Sequence, residues 1–183
     1  MEFINTPLKG LYLIKHNILQ DERGLFSRIF CKHEFDKIGF NKEFVQFNHS
    51  FNVKKGTVRG MHFQHPPFAE TKLIRCVEGS AYDIAVDVRQ GSPTFLQYYG
   101  VELSARNMNT ILIPEGFAHG FQTLEDNTTL IYHHTQYYTP HADGGIRYDD
   151  PLLNINWKFP IVNVSMKDKS YPLIDKNFKG VSV

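Results

Sequence analysis

The stretch "RGMHFQHPPFAETKL", from Arg59 to Leu73, sets two histidines, a glutamate and a lysine within fifteen residues. Two chemistries are open to such a set. His62, His65 and Glu70 are nitrogen and oxygen donors of the kind that hold iron, manganese or zinc. His62 is equally suited to act as a base, with Lys72 as a fixed cation. The second arrangement is what removing a proton next to a ketone requires. A base takes the proton, a cation or donor faces the oxygen that becomes an enolate, and an acid on the other face returns a proton if the carbon is to invert. "LIYHHTQYYTP" offers tyrosines for that acid. Arg23 in "DERGLF" and Arg59 in "TVRGMH" each precede a glycine, so a guanidinium and a close backbone can meet one anion, such as a diphosphate. Taken singly, each residue has a plainer role: a structural strand histidine, a core tyrosine, arginines at surface turns.

The metal site is tested by strand geometry. "PEGFAH", ending at His119, has the P-x-G-x-x-H form of the second metal motif of the cupins. The first such motif wants two histidines separated by one residue. Here His62 and His65 are three apart, and side chains on a strand alternate, so the pair faces opposite sides. Pro66 and Pro67 also signal that the strand has ended. A metal triad is therefore awkward, and no metal or cofactor is expected.

The elements that must position these residues are short. "GLYLIKH", "GLFSRIF", "EFVQFNHSF", "GTVRGMHF", "TKLIRCV", "SAYDIAVDV", "TFLQYYGVEL", "NTILIPEG", "HGFQTL" and "TLIYHHTQYY" read as strands, separated by turn clusters such as "VEGS", "RQGSP" and "LEDN". Their recurrence every ten or so residues is a sandwich or barrel rhythm. In "AYDIAVDV", Tyr82, Ile84, Val86 and Val88 share one face, with Asp83, Ala85 and Asp87 on the other. "CKHEFDKIG" predicts one short helix ending at Gly39, and the tail from Pro160 mixes "IVNVS" with polar "MKDKS". One all-β domain over residues 1–183 is expected. Its 42% hydrophobic content is that of a globular protein. The net charge of +1 gives no field for nucleic acid or an anionic membrane. No apolar run approaches a bilayer span, the N-terminus lacks a signal-peptide pattern, and the two cysteines form no redox or zinc motif, which together predict a cytoplasmic protein.

Taken together, "DERGLF", "VQFNHS", "VRGMHFQ", "KLIRCVEGSAYDIAVDVRQGSPTF", "VELSARN", "ILIPEGFAHGFQTL", "YYTP", "GIRYDDP" with "INW", and "VSMKD" resemble the dTDP-4-dehydrorhamnose 3,5-epimerases, in order and from about residue 20 to 170. The resemblance implies a cupin-type β jelly roll, metal-free and homodimeric. It implies inversion of carbons 3 and 5 of a nucleotide-diphospho-4-keto-6-deoxyhexose. His62 matches the base, Asp168 its paired carboxylate, Lys72 the lysine beside the sugar carbonyl, and Tyr132 the acid. His119 matches a sugar contact, and Arg23 and Arg59 the diphosphate clamp. Gln46, Asn48, Phe26 and Lys167 match further substrate contacts, and Tyr138 an aromatic beside the base.

Three positions depart from the family pattern. Arg28 stands where "RG-x-F-x-E" has a glutamate that reaches a nucleobase from the partner subunit. A carboxylate can accept from the ring N–H of thymine, whereas arginine only donates, and cytosine offers acceptors there. A CDP-linked substrate is thus an alternative to a dTDP-linked one. Asp143 replaces a glutamate and is one methylene shorter. Phe47 replaces an aspartate and either stacks on a base or packs. A one-carbon epimerase or keto-isomerase, a metal-dependent oxygenase and a non-catalytic sugar-nucleotide binder remain the other readings, separable by product stereochemistry, chelator sensitivity and turnover.

Overall fold

The computed structural model describes residues 1–183. Thirteen strands form the chain's framework. They are β1 (Glu2–Asn5), β2 (Tyr12–Lys15), β3 (Ile18–Asp21), β4 (Gly24–Ser27), β5 (Gln46–Asn52), β6 (Val58–Gln64), β7 (Lys72–Glu78), β8 (Ser80–Asp87), β9 (Tyr98–Ser104), β10 (Thr110–Ile113), β11 (Phe117–Thr123), β12 (Thr128–His134) and β13 (Asp143–Gly145). The only α-helices are α1 (Lys32–Phe35) and α2 (Met166–Ser170). All ten predicted strand runs contain a strand; β1, β3, β13 and α2 were not foreseen. The predicted short helix is present as α1 continued by a 3₁₀ turn over Asp36–Ile38, and Gly39 ends it at φ 77°, where glycine carries no Cβ penalty.

A six-stranded sheet runs β1-β2-β10-β7-β12-β5, and a five-stranded sheet runs β13-β6-β11-β8-β9. The ladders within both sheets are antiparallel, and non-consecutive strands lie side by side, as in the expected jelly roll. The two sheets close on a shared core that includes Ile74, Ile111 and Leu130 from one and Ala85, Leu103, Phe117 and Phe121 from the other. The outer faces are covered as well. Phe35 of α1 packs on Ile14, Leu73 and Leu112 outside the six-stranded sheet. Met61, Phe63, Ile84, Val86 and Ala118 on the outside of the five-stranded sheet lie under Ile146, Leu153 and Val181 of the C-terminal third. Every residue of β8 is consequently buried. Asp83 and Asp87 are tolerated there because each is bonded: Asp83 to His119, and Asp87 to Arg89, Ser92 and Thr94.

One irregularity matters for function. Between β6 and β11, His62 pairs with His119 but Arg59 pairs with Phe121, so β6 carries one residue more than its partner. This bulge brings Arg59 and His62 to the same face, although they are three apart in sequence. Glycine is required on both strands there. A Cβ on Gly60, which has φ +132°, would sit 2.5 Å from the Gly120 Cα, and one on Gly120 would sit 2.5 Å from the Met61 sulfur.

Candidate active site

A cavity of about 300 Å³ opens between the sheets. Strands β6 and β11 supply Arg59, His62, Gln64 and His119 to it; β5, β7 and β12 supply Asn48, Lys72, Tyr132 and His134. A volume of this size is at the lower end for a small-molecule site. A wider hollow of about 440 Å³ lies along the β3–β4 hairpin, formed by that hairpin alone and holding none of this ionisable cluster.

On one wall, the His62 Nε2–H donates to Asp168 Oδ1 at 2.8 Å. Asp168 is separated from His62 by most of the C-terminal half of the chain, and three local features bring it back. Residues 162 and 163 run beside the start of β6, with Val58 N bonded to Asn163 O and Val162 N to Gly56 O. Ser165 then caps α2 by accepting from the Asp168 backbone N–H. Finally, the Gly60 N–H donates to Asp168 Oδ2 at 3.1 Å. Burial pushes the Asp168 carboxyl up, but the bonds from His62, Gly60 and Ser165 outweigh it and hold it below its ordinary value. With Nε2 engaged, Nδ1 is the His62 nitrogen left to take a proton. The Tyr171 ring stands edge-on to His62 at 5.9 Å, and its hydroxyl bonds Asp143, which also pairs with Lys167 at 2.7 Å.

On the facing wall, Lys72 Nζ donates to His62 O and pairs with Glu70 Oε1, both at 3.2 Å. Tyr132 lies between His119 and His134, with ring centroids 5.7 and 5.9 Å away. Withdrawal from water, reinforced by the charge of Asp83, pushes its hydroxyl well above the ordinary value, so it stays protonated. His119 is buried and donates Nε2–H to Asp83 at 2.9 Å. Arg59 is fixed by donating Nε–H to Asn52 Oδ1 at 2.7 Å. An imidazole and a protonated phenol thus approach one cavity from opposite sheets, with the Lys72 ammonium on the same wall as the phenol. That geometry suits proton removal and return at a carbon next to a carbonyl.

The structure brings His62, Asp168, Lys72, Tyr132, Arg59, His119, Asn48, Tyr138, Asp143 and Lys167 to this cavity or directly against it, and Gln46 is bonded to Asn48. Four predicted contacts lie elsewhere on the chain. Phe47 sits on the other side of β5 from Asn48, 4.5 Å from His133, because neighbours on a strand alternate. Arg23, Phe26 and Arg28 lie on or beside the β3–β4 hairpin, where Arg23 pairs with Asp21 and Arg28 with Glu34. His65 is exposed beyond the end of β6, beside Phe63, so it is not assembled with His62 and Glu70; no cluster of three or more His, Cys, Asp and Glu side chains is placed to hold a metal. Sequence reasoning missed Asp83, His134, Ser50, Gln64 and Tyr171, and weighed Glu70 only as a metal ligand. Glu70 had a usable signal, since a carboxylate two residues from Lys72 is a ready partner for its charge.

Comparison with known proteins places the chain as a whole. The profile of the dTDP-4-dehydrorhamnose 3,5-epimerase family matches residues 5–176. The epimerase of that name from Salmonella typhimurium is 42% identical over 178 residues, covering 96% of this chain and 97% of its own. The crystal structure of the Bacillus anthracis enzyme, with TDP and PPi bound, superposes with a TM-score of 0.92 at 39% identity, over 94% of this chain and 99% of that one. The Legionella pneumophila enzyme, solved in complex with dTDP-4-keto-L-rhamnose, gives 0.92 at 38% identity, over 100% and 98%. With a match across nearly its whole length and the barrel cavity to accompany it, the chain belongs to the dTDP-4-dehydrorhamnose 3,5-epimerases, enzymes of the isomerase class.

Proposed function

We propose that this chain inverts carbons 3 and 5 of a dTDP-linked 4-keto-6-deoxyhexose by stepwise deprotonation and reprotonation. The observation that carries the reading is the opposition of His62–Asp168 on one wall of the cavity to Lys72 and Tyr132 on the other. His62 Nδ1 removes the proton next to the ketone, and Asp168 stabilises the imidazolium that results. Lys72 faces the oxygen on which enolate charge develops. Tyr132, held protonated by its buried setting, returns a proton from the opposite face. Arg59 receives the diphosphate, and His119 contacts the sugar.

The β3–β4 hairpin completes the nucleotide end in a second copy of the chain, so the working unit is a homodimer. Ile18, Leu19, Leu25 and Phe26 are all exposed on this hairpin, with Leu19 at 67% and Phe26 at 69%, which supports a partner surface. Arg23 on the same hairpin belongs to the clamp of that second site. A CDP-linked substrate is the second reading, favoured by the Arg28 side chain, which is 65% exposed despite its bond to Glu34.

One experiment tests these assignments. The dTDP- and CDP-linked 4-keto-6-deoxyglucoses are incubated in deuterated water and followed by proton NMR. The native enzyme is expected to label both carbons and to turn over the dTDP sugar faster. His62→Ala is expected to label neither carbon, and Tyr132→Phe to slow inversion at carbon 5 more than exchange. Normal exchange by His62→Ala would remove the base, and equal turnover of the two nucleotides would remove the preference.

A further inference from the structure

Glu70 and His134 sit in the wall of the cavity with no role in the chemistry above. His134 is directly opposite Lys72 in the β7–β12 ladder, and Glu70, two residues before β7, reaches both of them. Their bonds run in a single direction. The Tyr138 backbone N–H donates to Gln46 Oε1 at 2.9 Å, and Gln46 Nε2 donates to Asn48 Oδ1 at 3.2 Å. Asn48 Nδ2 donates to His134 Nε2 at 3.1 Å, and the His134 Nδ1–H donates to Glu70 Oε2 at 2.8 Å. Lys72 Nζ meets the other carboxylate oxygen at 3.2 Å. Each link in this chain joins a donor to an acceptor, and the tautomer of His134 is fixed by it.

A lysine ammonium has three N–H bonds. One goes to His62 O, and the ammonium is drawn to Glu70 Oε1 by an ion pair at 3.2 Å, so two contacts fix its orientation while N–H capacity is left for the cavity. The carboxylate is buried, with 9% of its side chain exposed, so its charge acts on Lys72 with little screening by water. Burial raises the Glu70 carboxyl, but the charge of Lys72 and the His134 bond prevail and keep it ionised.

We propose that Glu70, held by His134 and Asn48, is the positioning residue that aims the remaining N–H capacity of Lys72 at the sugar carbonyl oxygen. The chain of bonds ties that aim to Gln46, Asn48 and Tyr138, the residues proposed to meet the substrate, so the electrophile is set by the wall that recognises the nucleotide sugar. This rests on the role given to Lys72 above.

The test compares Glu70→Gln, Lys72→Met and the double variant in the full-length enzyme. The readouts are kcat and KM for deuterium exchange of the dTDP-linked 4-keto sugar. Lys72→Met is expected to lose ~10²-fold in kcat, as for removal of a donor at a developing oxyanion. Glu70→Gln is expected to lose ~10-fold in kcat with KM within about two-fold, the pattern of an interaction that matters in the transition state. The double variant should match Lys72→Met alone, because the two act as one unit. His134→Leu, which spares Glu70 but removes its second donor, should lose ~3-fold in kcat and provides the same reading in an independently folded protein. Unchanged kcat in Glu70→Gln, or losses that multiply in the double variant, would overturn the proposal. Unchanged kcat in Lys72→Met would overturn the role of Lys72 and this inference with it.

Discussion

Two histidines stand opposite each other in one ladder, and each donates to an aspartate. His62 meets Asp168 at 2.8 Å and His119 meets Asp83 at 2.9 Å. The bonds are nearly identical, yet the surroundings are not. The His62 side chain is 36% exposed and its aspartate arrives from a distant segment. The His119 side chain is 4% exposed, and Asp83 sits on the adjacent strand with Oδ1 buried and unpartnered. Burial lowers the pKa of His119 despite the neighbouring carboxylate, so it stays neutral and acts as a polar wall. The proposed base must both take a proton and exchange it with water, and of the two histidines His62 has that access. A His–Asp bond does not by itself single out a candidate base. Access to water and an anchor independent of the core do.

The largest expected effect breaks the exposed pair. Asp168→Asn keeps the shape of the carboxylate but cannot stabilise an imidazolium. Deuterium exchange at carbons 3 and 5 is expected to fall ~10³-fold, within the range for general base catalysis and its orienting group. The fold should hold, with a loss of about 1 kcal/mol from weakened bonds to Gly60 and His62. Exchange at the native rate would show that His62 does not depend on Asp168.

The converse substitution breaks the buried pair. Asp83→Ala leaves the His119 Nε2–H without a partner inside the barrel and opens space in a close-packed wall. Its expected cost in urea denaturation is about 2–4 kcal/mol. At a temperature where the variant remains folded, exchange should fall less than about ten-fold, since no reacting proton passes through Asp83. If Asp83→Ala lost as much exchange as Asp168→Asn, the two pairs would not be divided into a working one and a supporting one.

Why only part of this division was legible in the sequence follows from range. Alternation over "AYDIAVDV" and its neighbours marks strands because it is local, and the parity that separates His62 from His65 is local too. The bulge is not, since it exists only where β6 meets β11, and it reverses parity for Arg59. Asp83 lies on the second face of a strand whose first face is already apolar; that both faces are buried depends on a C-terminal cover 60 or more residues away. The partnership of Asp168 with His62 came from family resemblance, not from any spacing. The Glu70–His134 bond needed the β7–β12 register, which no single strand encodes. Of the hairpin carrying Arg23, Phe26 and Arg28, only the turn and second strand read in the sequence, and the site proposed for its exposed side chains lies outside a single chain, where no local pattern reaches.

The smallest effect separates the pairs by pH. His119 has its folded pKa lowered from 6.5, so the unfolded chain binds its proton more readily. Its contribution to stability is complete above about pH 6.5 and is lost as pH falls through the folded value. Asp168 is also lowered, from 3.8, and its contribution is complete above about pH 4 and lost only below that. Both pairs therefore weaken in acid, but in different windows. Urea denaturation from pH 8 to pH 3 should show native stability declining in the two windows. His119→Gln should flatten the decline just below pH 6.5 relative to the native chain and leave the acid limb unchanged. Asp168→Asn should do the reverse. His16 and His133 are lowered by burial as well and also titrate in the upper window, so the informative quantity is the difference between variant and native curves. A His119→Gln curve parallel to the native one through pH 6 would mean that His119 is not held neutral, and the contrast between the two histidines would rest on exposure alone.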